Sequence, residues 1–112
     1  YSIVGSNIPV QVIAGPAVLY SINLAQNGGS VGYLQVYNNG TQDIGIGTPD
    51  FTIPLTSGTS GAGTPSTRDV SYLPSGRSMS GGISYLWAAG PTGTVAHGAN
   101  ALLDIGYRGT GI

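Results

Sequence analysis

Apolar side chains recur at every second position in several short stretches of the chain. The clearest runs cover residues 18–24 and 31–37. A period of two is typical of β-strands, because successive side chains point to opposite faces of a sheet. The alternation therefore predicts one shared face in each strand: Val18, Tyr20, Ile22 and Leu24; Leu34 and Val36; Phe51, Ile53 and Leu55; Ile83, Tyr85 and Trp87; and Ala101, Leu103, Ile105 and Tyr107.

Glycine and proline interrupt the chain too often for long helices. The 112 residues include 20 Gly and 7 Pro, and both types destabilise helix interiors. The segment Asn27-Gly28-Gly29 predicts a turn that joins strands 18–24 and 31–37 into a hairpin. Pro54 indicates a sheet edge, because proline has no N–H to donate to a neighbouring strand. These signals predict an all-β, single-domain β-sandwich of the jelly-roll-like kind.

The chain divides into a sandwich domain and a shorter N-terminal segment. Residues 17–112 carry the predicted sandwich, and residues 1–16 are predicted to form an N-terminal arm or first edge segment. The stretch from Thr56 to Thr67 is rich in Gly, Ser and Thr and predicts a long loop. A second loop-rich connection is expected from Ala88 to Asn100.

Charged residues make up only 6% of the chain, against about 25% in typical domains. A surface this poor in charge predicts a protein that sits against a partner. The net charge of −1, without clustered basic residues, argues against nucleic acid as that partner. Polar residues, Pro and Gly break every apolar stretch well before the roughly 20 residues of a membrane span, so we expect no membrane partner.

No residue pattern points to catalysis or metal binding. His97 is the only histidine, and a catalytic triad would need it beside Asp69 or Asp104 and a serine. We expect instead a loop histidine with a local hydrogen bond. Most aspartates lie in or beside turns rather than in converging pairs, and the oxygen-rich segment 38–43 holds one carboxylate, Asp43. The sequence predicts no enzyme activity, no cofactor and no metal site.

Tyrosines and polar residues are the candidates for partner contact. If Leu34 and Val36 point inward, Tyr33, Gln35 and Tyr37 point outward. An alternative, to which we give slightly more weight, is that these tyrosines cover a sheet face or pack beneath a loop. Trp87 is expected in the core. The candidate contact residues, drawn from the N-terminal segment, the outward face and the long loop, are Tyr1, Ile3, Val4, Tyr33, Gln35, Tyr37, Thr59 and Thr64.

Five motifs follow one another along most of the chain. They are Leu-Tyr at 19–20, LQVYNN at 34–39, GIGTPDFTIPL at 45–55, SGGISYLWAAG at 80–90 and LLDIGYR at 102–108. In this order they resemble a family of small virion structural proteins of tailed bacteriophages and their prophages. Two departures concern loops: the segment Gly93–Asn100 lacks the acidic residues that family members carry there, and the loop Thr56–Thr67 is longer and richer in Gly and Ser.

The resemblance implies a β-sandwich subunit on the outer surface of a phage head, made in the cytoplasm of the bacterial host. It implies a capsid decoration, or cement, protein that binds the lattice of the major capsid protein, as a homo-oligomer and most often a trimer. No catalytic residue is implied. The alternative is a carbohydrate-binding module on a tail or head fibre that stacks sugars on Tyr33, Tyr37 or Trp87.

Overall fold

Two antiparallel β-sheets pack face to face in the computed structural model, which describes residues 2–4, 10–26, 30–39, 49–56, 66–93, 97–98 and 100–109. Within these residues every regular element is a strand. The strands are β1 (Ser2–Val4), β2 (Val10–Ile13), β3 (Ala17–Gln26), β4 (Gly32–Tyr37), β5 (Phe51–Leu55), β6 (Ser66–Ser71), β7 (Arg77–Met79), β8 (Ile83–Ala88) and β9 (Ala101–Gly109).

The strands divide between two sheets, here called sheet A and sheet B. Sheet A has the order β1-β9-β3-β6, with β7 also pairing with β3, and sheet B has the order β2-β8-β4-β5. The predicted all-β sandwich is confirmed. Pro54 is exposed on β5, which is an edge strand of sheet B, so the predicted edge position is also confirmed.

The core lies between the inner faces of the two sheets. Trp87 is its largest side chain and is fully buried, as predicted, together with Ile83 on the same face of β8. Burial of such large apolar side chains stabilises the fold by about 2 kcal/mol each. The other large, fully buried members of this cluster are Leu19, Ile22, Leu24, Leu34, Val36, Leu55 and Met79.

A β-bulge in β3 changes which of its residues face the core. The register between β3 and β9 shifts between Leu19 and Ser21. Because one extra residue reverses the alternation, Leu19 is buried with Ile22, whereas Val18 and Tyr20 are only half-buried. The prediction that Val18, Tyr20 and Ile22 share one face is therefore wrong for the first half of the strand.

The prediction that strands 18–24 and 31–37 form a hairpin is also wrong. β3 pairs with β6, β7 and β9 in sheet A, whereas β4 pairs with β5 and β8 in sheet B. The chain therefore crosses from one sheet to the other between Gln26 and Gly32, and residues 27–29 lie outside the described part. Gln26 anchors this crossing, because its Nε2 donates to the carbonyl oxygens of Leu55 and Thr56 at the end of β5 (2.9 Å each).

Four strands come from sequence without a strong apolar alternation. β6 begins at Ser66, so the predicted loop Thr56–Thr67 ends two residues early, and residues 57–65 lie outside the described part. β6 and β7 pair with consecutive parts of the same edge of β3.

β1 pairs with β9 and β2 pairs with β8, so the described strands of the N-terminal segment are edge strands of the two sheets. The division at residue 16 stays a prediction.

Gly81 brings the backbone at the start of β8 close to the end of β4. The Gly81 N–H donates to Oδ1 of Asn38 (2.7 Å), and a Cβ at Gly81 would lie 2.7 Å from the carbonyl oxygen of the same residue. Gly82 has a φ of 112°, in the region that favours glycine. Both glycines therefore join β8 to the end of β4.

Candidate functional site

The outer face of sheet B is covered by the chain's own loop. Gln35 is fully buried there, and its Nε2 donates to the carbonyl oxygens of Gly90 (3.0 Å) and Gly93 (2.9 Å). The Tyr37 hydroxyl donates to Oε1 of Gln35, and Thr52 Oγ1 donates to the carbonyl oxygen of Pro91 (3.1 Å). These bonds hold the loop 90–93 against the sheet.

The loop changes the status of two predicted contact residues. Gln35 and Tyr37 do point away from the main core, yet they are 0% and 4% exposed. The expectation that they form an outward surface is wrong, and packing beneath a loop, the alternative reading, is what the structure shows for Tyr37. Tyr37 forms a second small apolar cluster with Leu86 and Ala88 on this face.

The remaining predicted contact residues fall into two groups. Tyr33 is half-buried on β4, in register with Pro54 and Ala88 of the neighbouring strands. Ile3 and Val4 belong to β1 and pair with β9. Outside the described residues lie Tyr1, Thr59 and Thr64. For all eight candidates, contact with a partner stays a prediction.

The outer face of sheet A, here called the open face, has a different character. Alternation and strand register place small polar side chains across its centre. At one end of the face, the described turn after β6 lies against β3, because the Leu73 N–H donates to Ser71 Oγ (3.3 Å) and a Cβ at Gly76 would lie 2.2 Å from Val18 Cγ1. Asn23 lies between Asp69 of β6 and Asp104 of β9. The residues of this face are Ser21, Asn23, Ala25, Thr67, Asp69, Ser71, Leu102 and Asp104.

Two aspartates do come near each other, on an exposed sheet rather than in a cleft. Asp69 and Asp104 are both in register with Asn23, so their Cα atoms are about 10 Å apart across two strand spacings. Both side chains are exposed. A carboxylate pair that cleaves glycosides works on a substrate enclosed between the two groups. The flat face provides no such enclosure.

His97 is a buried histidine that fastens two loops together. It is 6% exposed, and its ring lies 5.1 Å from the Trp87 ring, centroid to centroid. Its Nε2 is 3.0 Å from the carbonyl oxygen of Ser30 and 3.2 Å from Ser30 Oγ. Because a carbonyl oxygen only accepts hydrogen bonds, Nε2 carries a proton and donates it to Ser30. His97 does make a hydrogen bond, yet the expectation of a local one is wrong, because Ser30 lies 67 positions away in the sequence.

A proton on Nε2 of His97 distinguishes the Ser30–His97 pair from a catalytic serine–histidine pair. A nitrogen that donates its proton to a backbone carbonyl cannot at the same time remove a proton from the Ser30 hydroxyl. Asp69 and Asp104, the two partners considered for a triad, lie on the open face of sheet A. The Ser30–His97 contact therefore acts as a structural link between the β3–β4 crossing and the β8–β9 loop.

Replacing His97 with alanine should lower the free energy of unfolding by about 2 kcal/mol, because the Ser30 carbonyl loses its donor and Trp87 loses its neighbour. Ser30→Ala removes only the exposed hydroxyl and should change stability by less than about 0.5 kcal/mol. Urea unfolding followed by Trp87 fluorescence measures both. Equal losses of unfolding free energy in the two variants would contradict the assignment of the Ser30 carbonyl as the main hydrogen-bond partner of His97.

An ion pair and aromatic rings close one side of the sandwich. Arg77 of β7 lies 2.8 Å from Asp50 Oδ2, just before β5, and its guanidinium is 4.6 Å from the centre of the Phe51 ring. The hydrogen bond that Arg77 donates to the Asp50 carboxylate raises the pKa of Arg77. On the same side, Arg68 Nη1 donates to the carbonyl oxygen of Pro54 (3.1 Å). Sequence patterns did not reveal these contacts, because they join residues from different sheets.

The opposite side of the sandwich is open between the sheets. A cleft of about 190 Å³ there is lined by Val12, Tyr85, Leu103, Asp104 and Ile105. The register of β2 shifts between Gln11 and Ile13, and Val12 at this bulge lines the cleft. Burial raises the pKa of the Tyr85 phenol. The walls of this cleft are polar as well as apolar, with Asp104 beside Val12 and Ile105.

General signatures of function give little further guidance. The described residues contain no group of three or more His, Cys, Asp or Glu placed to hold a metal ion. Within the same residues, no helix is long and apolar enough to cross a membrane. No family model, no curated protein and no solved structure matches the chain.

Proposed function

We propose that the chain is a non-catalytic structural subunit of a bacteriophage virion, a decoration protein that binds the lattice of the major capsid protein on the outer surface of the head. The observation that carries this proposal is the difference between the two sheets. Sheet B is covered by the loop 90–93, whereas sheet A presents an open face of small and mostly uncharged side chains. The resemblance of the five sequence motifs supplies the class of partner.

The open face suits broad contact with a regular protein surface. Its central residues have short side chains, so an opposing surface approaches the sheet without ordering long, flexible groups. A trimer, as the resemblance implies, touches several capsid subunits at once and gains avidity from contacts that are each weak.

The polar groups that sequence analysis considered for chemistry support a structural role. Nε2 of His97 donates to the Ser30 carbonyl, and Arg77 pairs with Asp50. Asp69 and Asp104 are exposed on a flat sheet. We therefore propose no enzyme activity and no cofactor, and we propose that the chain acts by binding alone, after synthesis in the cytoplasm of the bacterial host.

We also propose that the sandwich is a jelly roll. β6 and β7 pair in succession with one edge of β3, so they count as one interrupted strand. Sheet A then has four strands, as sheet B does, and the described strands β1 to β9 change sheet six times along the chain. Two four-stranded sheets connected in this crossed order support the jelly-roll interpretation.

The carbohydrate-binding alternative has less support. Two of its three stacking residues are enclosed by protein: Trp87 is 0% exposed and Tyr37 is 4% exposed. A ring that stacks on sugar must present one face to solvent. Only Tyr33, which is half-buried, keeps part of its surface accessible.

Co-sedimentation with undecorated heads, assembled from the major capsid protein of the same genome, tests the proposal. We expect saturable binding of the wild-type protein. Asn23→Arg places a long charged side chain at the centre of the open face and should weaken binding about tenfold or more. Thr92→Arg makes the same kind of change on the loop that covers sheet B, and should bind as the wild type does.

An unrelated β-sandwich protein controls for trapping in the pellet. Absence of saturable binding by the wild-type protein would reject the capsid-binding function. Equal binding by Asn23→Arg and the wild type, with loss in Thr92→Arg, would place the contact on sheet B and contradict the assignment of the open face.

A further inference from the structure

Charge is scarce in this protein, so the position of each charged group is informative. The sequence holds four acidic and three basic residues. Two of the four acidic residues, Asp69 and Asp104, lie on the open face of sheet A. Half of the acidic groups of the chain are therefore concentrated on one sheet face.

The two aspartates form one row across three neighbouring strands, here called the acidic row. Both are in register with Asn23, Asp69 from β6 on one side and Asp104 from β9 on the other. The Asn23 side chain points outward, because Ile22 and Leu24 on either side of it are buried in the core. The acidic row therefore presents two carboxylates, about 10 Å apart at their Cα atoms, with an uncharged amide between them.

Neither carboxylate has a cationic partner within the described part of the chain. The ion pair found there is between Asp50 and Arg77. The basic residue on the same strand as Asp104 is Arg108, four residues further along β9 and about 13 Å away. Asp69 and Asp104 are both exposed, so water solvates them in an isolated copy of the protein.

A partner that covers the open face removes this water from both carboxylates. A carboxylate buried at an interface without a cationic partner strongly opposes association. A carboxylate that meets a cationic group instead contributes to specificity and to the rate of encounter. An apolar or acidic surface would therefore bind the open face poorly, and a basic surface would bind it well.

We propose that the surface covering the open face carries Lys or Arg side chains that face Asp69 and Asp104. This inference rests on the proposed function, so the basic surface is that of the capsid lattice. Short side chains flank the acidic row, among them Ser21, Ala25 and Thr67. A basic side chain of the capsid protein therefore reaches each carboxylate without a steric barrier.

Co-sedimentation with undecorated heads at increasing salt concentration tests the charge of the partner. We expect wild-type binding to weaken about tenfold between about 0.05 M and about 0.5 M NaCl, because salt screens charge pairs. Asp69→Asn and Asp104→Asn preserve the shape of each side chain and remove its charge. The double variant should bind about tenfold or more weakly at low salt, and its binding should depend little on salt.

Thr92→Arg is the matched control, because it raises the net charge by one unit, as each Asp→Asn change does, on the loop that covers sheet B. It should bind as the wild type does and keep the same salt dependence. Circular dichroism and urea unfolding of each variant establish that these exposed substitutions leave the fold intact.

Wild-type binding that neither salt nor the double Asp→Asn variant weakens would overturn the basic partner and leave the capsid-binding function standing. Tighter binding by the double variant would overturn it too, because the carboxylates would then be unpaired in the contact. Binding lost in EDTA and restored by Mg²⁺ would assign the cation to a bridging metal ion instead. An equal loss in Thr92→Arg would assign the effect to net charge. Absence of wild-type binding at every salt concentration would reject the function on which the inference rests.

Discussion

Replacing Gly32 with alanine is expected to lower the free energy of unfolding by about 3 kcal/mol. A Cβ at this position would lie 2.1 Å from Cη2 and 2.3 Å from Cζ2 of the Trp87 indole. The indole is fully buried and packs against the His97 ring, so it cannot move aside without displacing other core groups. Urea denaturation measures this loss, with one m-value, the slope of the unfolding free energy against urea concentration, fitted to all variants.

Gly15→Ala is the matched control, because a Cβ at Gly15 meets nothing within 4 Å. It should change stability by less than about 0.5 kcal/mol. Combining Gly32→Ala with Trp87→Leu should cost less than the sum of the two single changes, because the smaller side chain leaves room for the added methyl. Similar effects of Gly32→Ala and Gly15→Ala would contradict the close packing of Gly32 on Trp87.

Replacing Gln26 with glutamate should cost about 3 kcal/mol near neutral pH. Nε2 of Gln26 faces three carbonyl oxygens, those of Ser30 (3.0 Å), Leu55 (2.9 Å) and Thr56 (2.9 Å). A carboxylate in the same place would meet three acceptors without a hydrogen to donate. Gln26 is 2% exposed, so solvent does little to screen this repulsion.

The penalty should depend on pH in a defined direction. Burial and the neighbouring carbonyl oxygens would raise the pKa of the new Glu side chain above its unfolded value of about 4.3. The protonated carboxyl can donate one hydrogen bond, so the variant should be most stable below about pH 4 and lose stability as the pH rises through the raised pKa. Urea midpoints measured between about pH 4 and about pH 7 test this.

Gln11→Glu is the control for this series, because it makes the same chemical change at an exposed position of β2. It should show little change in urea midpoint relative to the wild type over the same pH range. A pH-independent loss in Gln26→Glu, or an equal pH dependence in both variants, would contradict the hydrogen-bond arrangement around Gln26.

Local patterns were enough to predict the class of fold and several of its buried faces. Alternation identified the inward faces of β5, β8 and β9, and Trp87 is in the core as expected. Pro54 marked an edge strand because the missing N–H is a property of the residue itself. These features depend on residue type and on neighbours along the chain, so the sequence alone is enough to recognise them.

Partners distant in sequence were harder to infer. The Asn-Gly-Gly segment is typical of a hairpin, yet the chain crosses between sheets there, because both edges of β3 pair with strands that follow much later. The same limit applied to Gln35: its position on β4 was correct, and its burial comes with the loop 90–93, to whose carbonyl oxygens it donates. The bulge at Leu19 is a further case, since it is defined by register with β9.

Side-chain alternation and residue type establish an all-β chain with few charges and with Trp87 in its core. Contacts between distant segments establish that the loop 90–93 covers sheet B and that His97 contacts Ser30. Alternation and residue type act within a strand, so the sequence displays them, whereas sheet pairing, loop coverage and hydrogen bonding depend on segments that lie far apart along the chain.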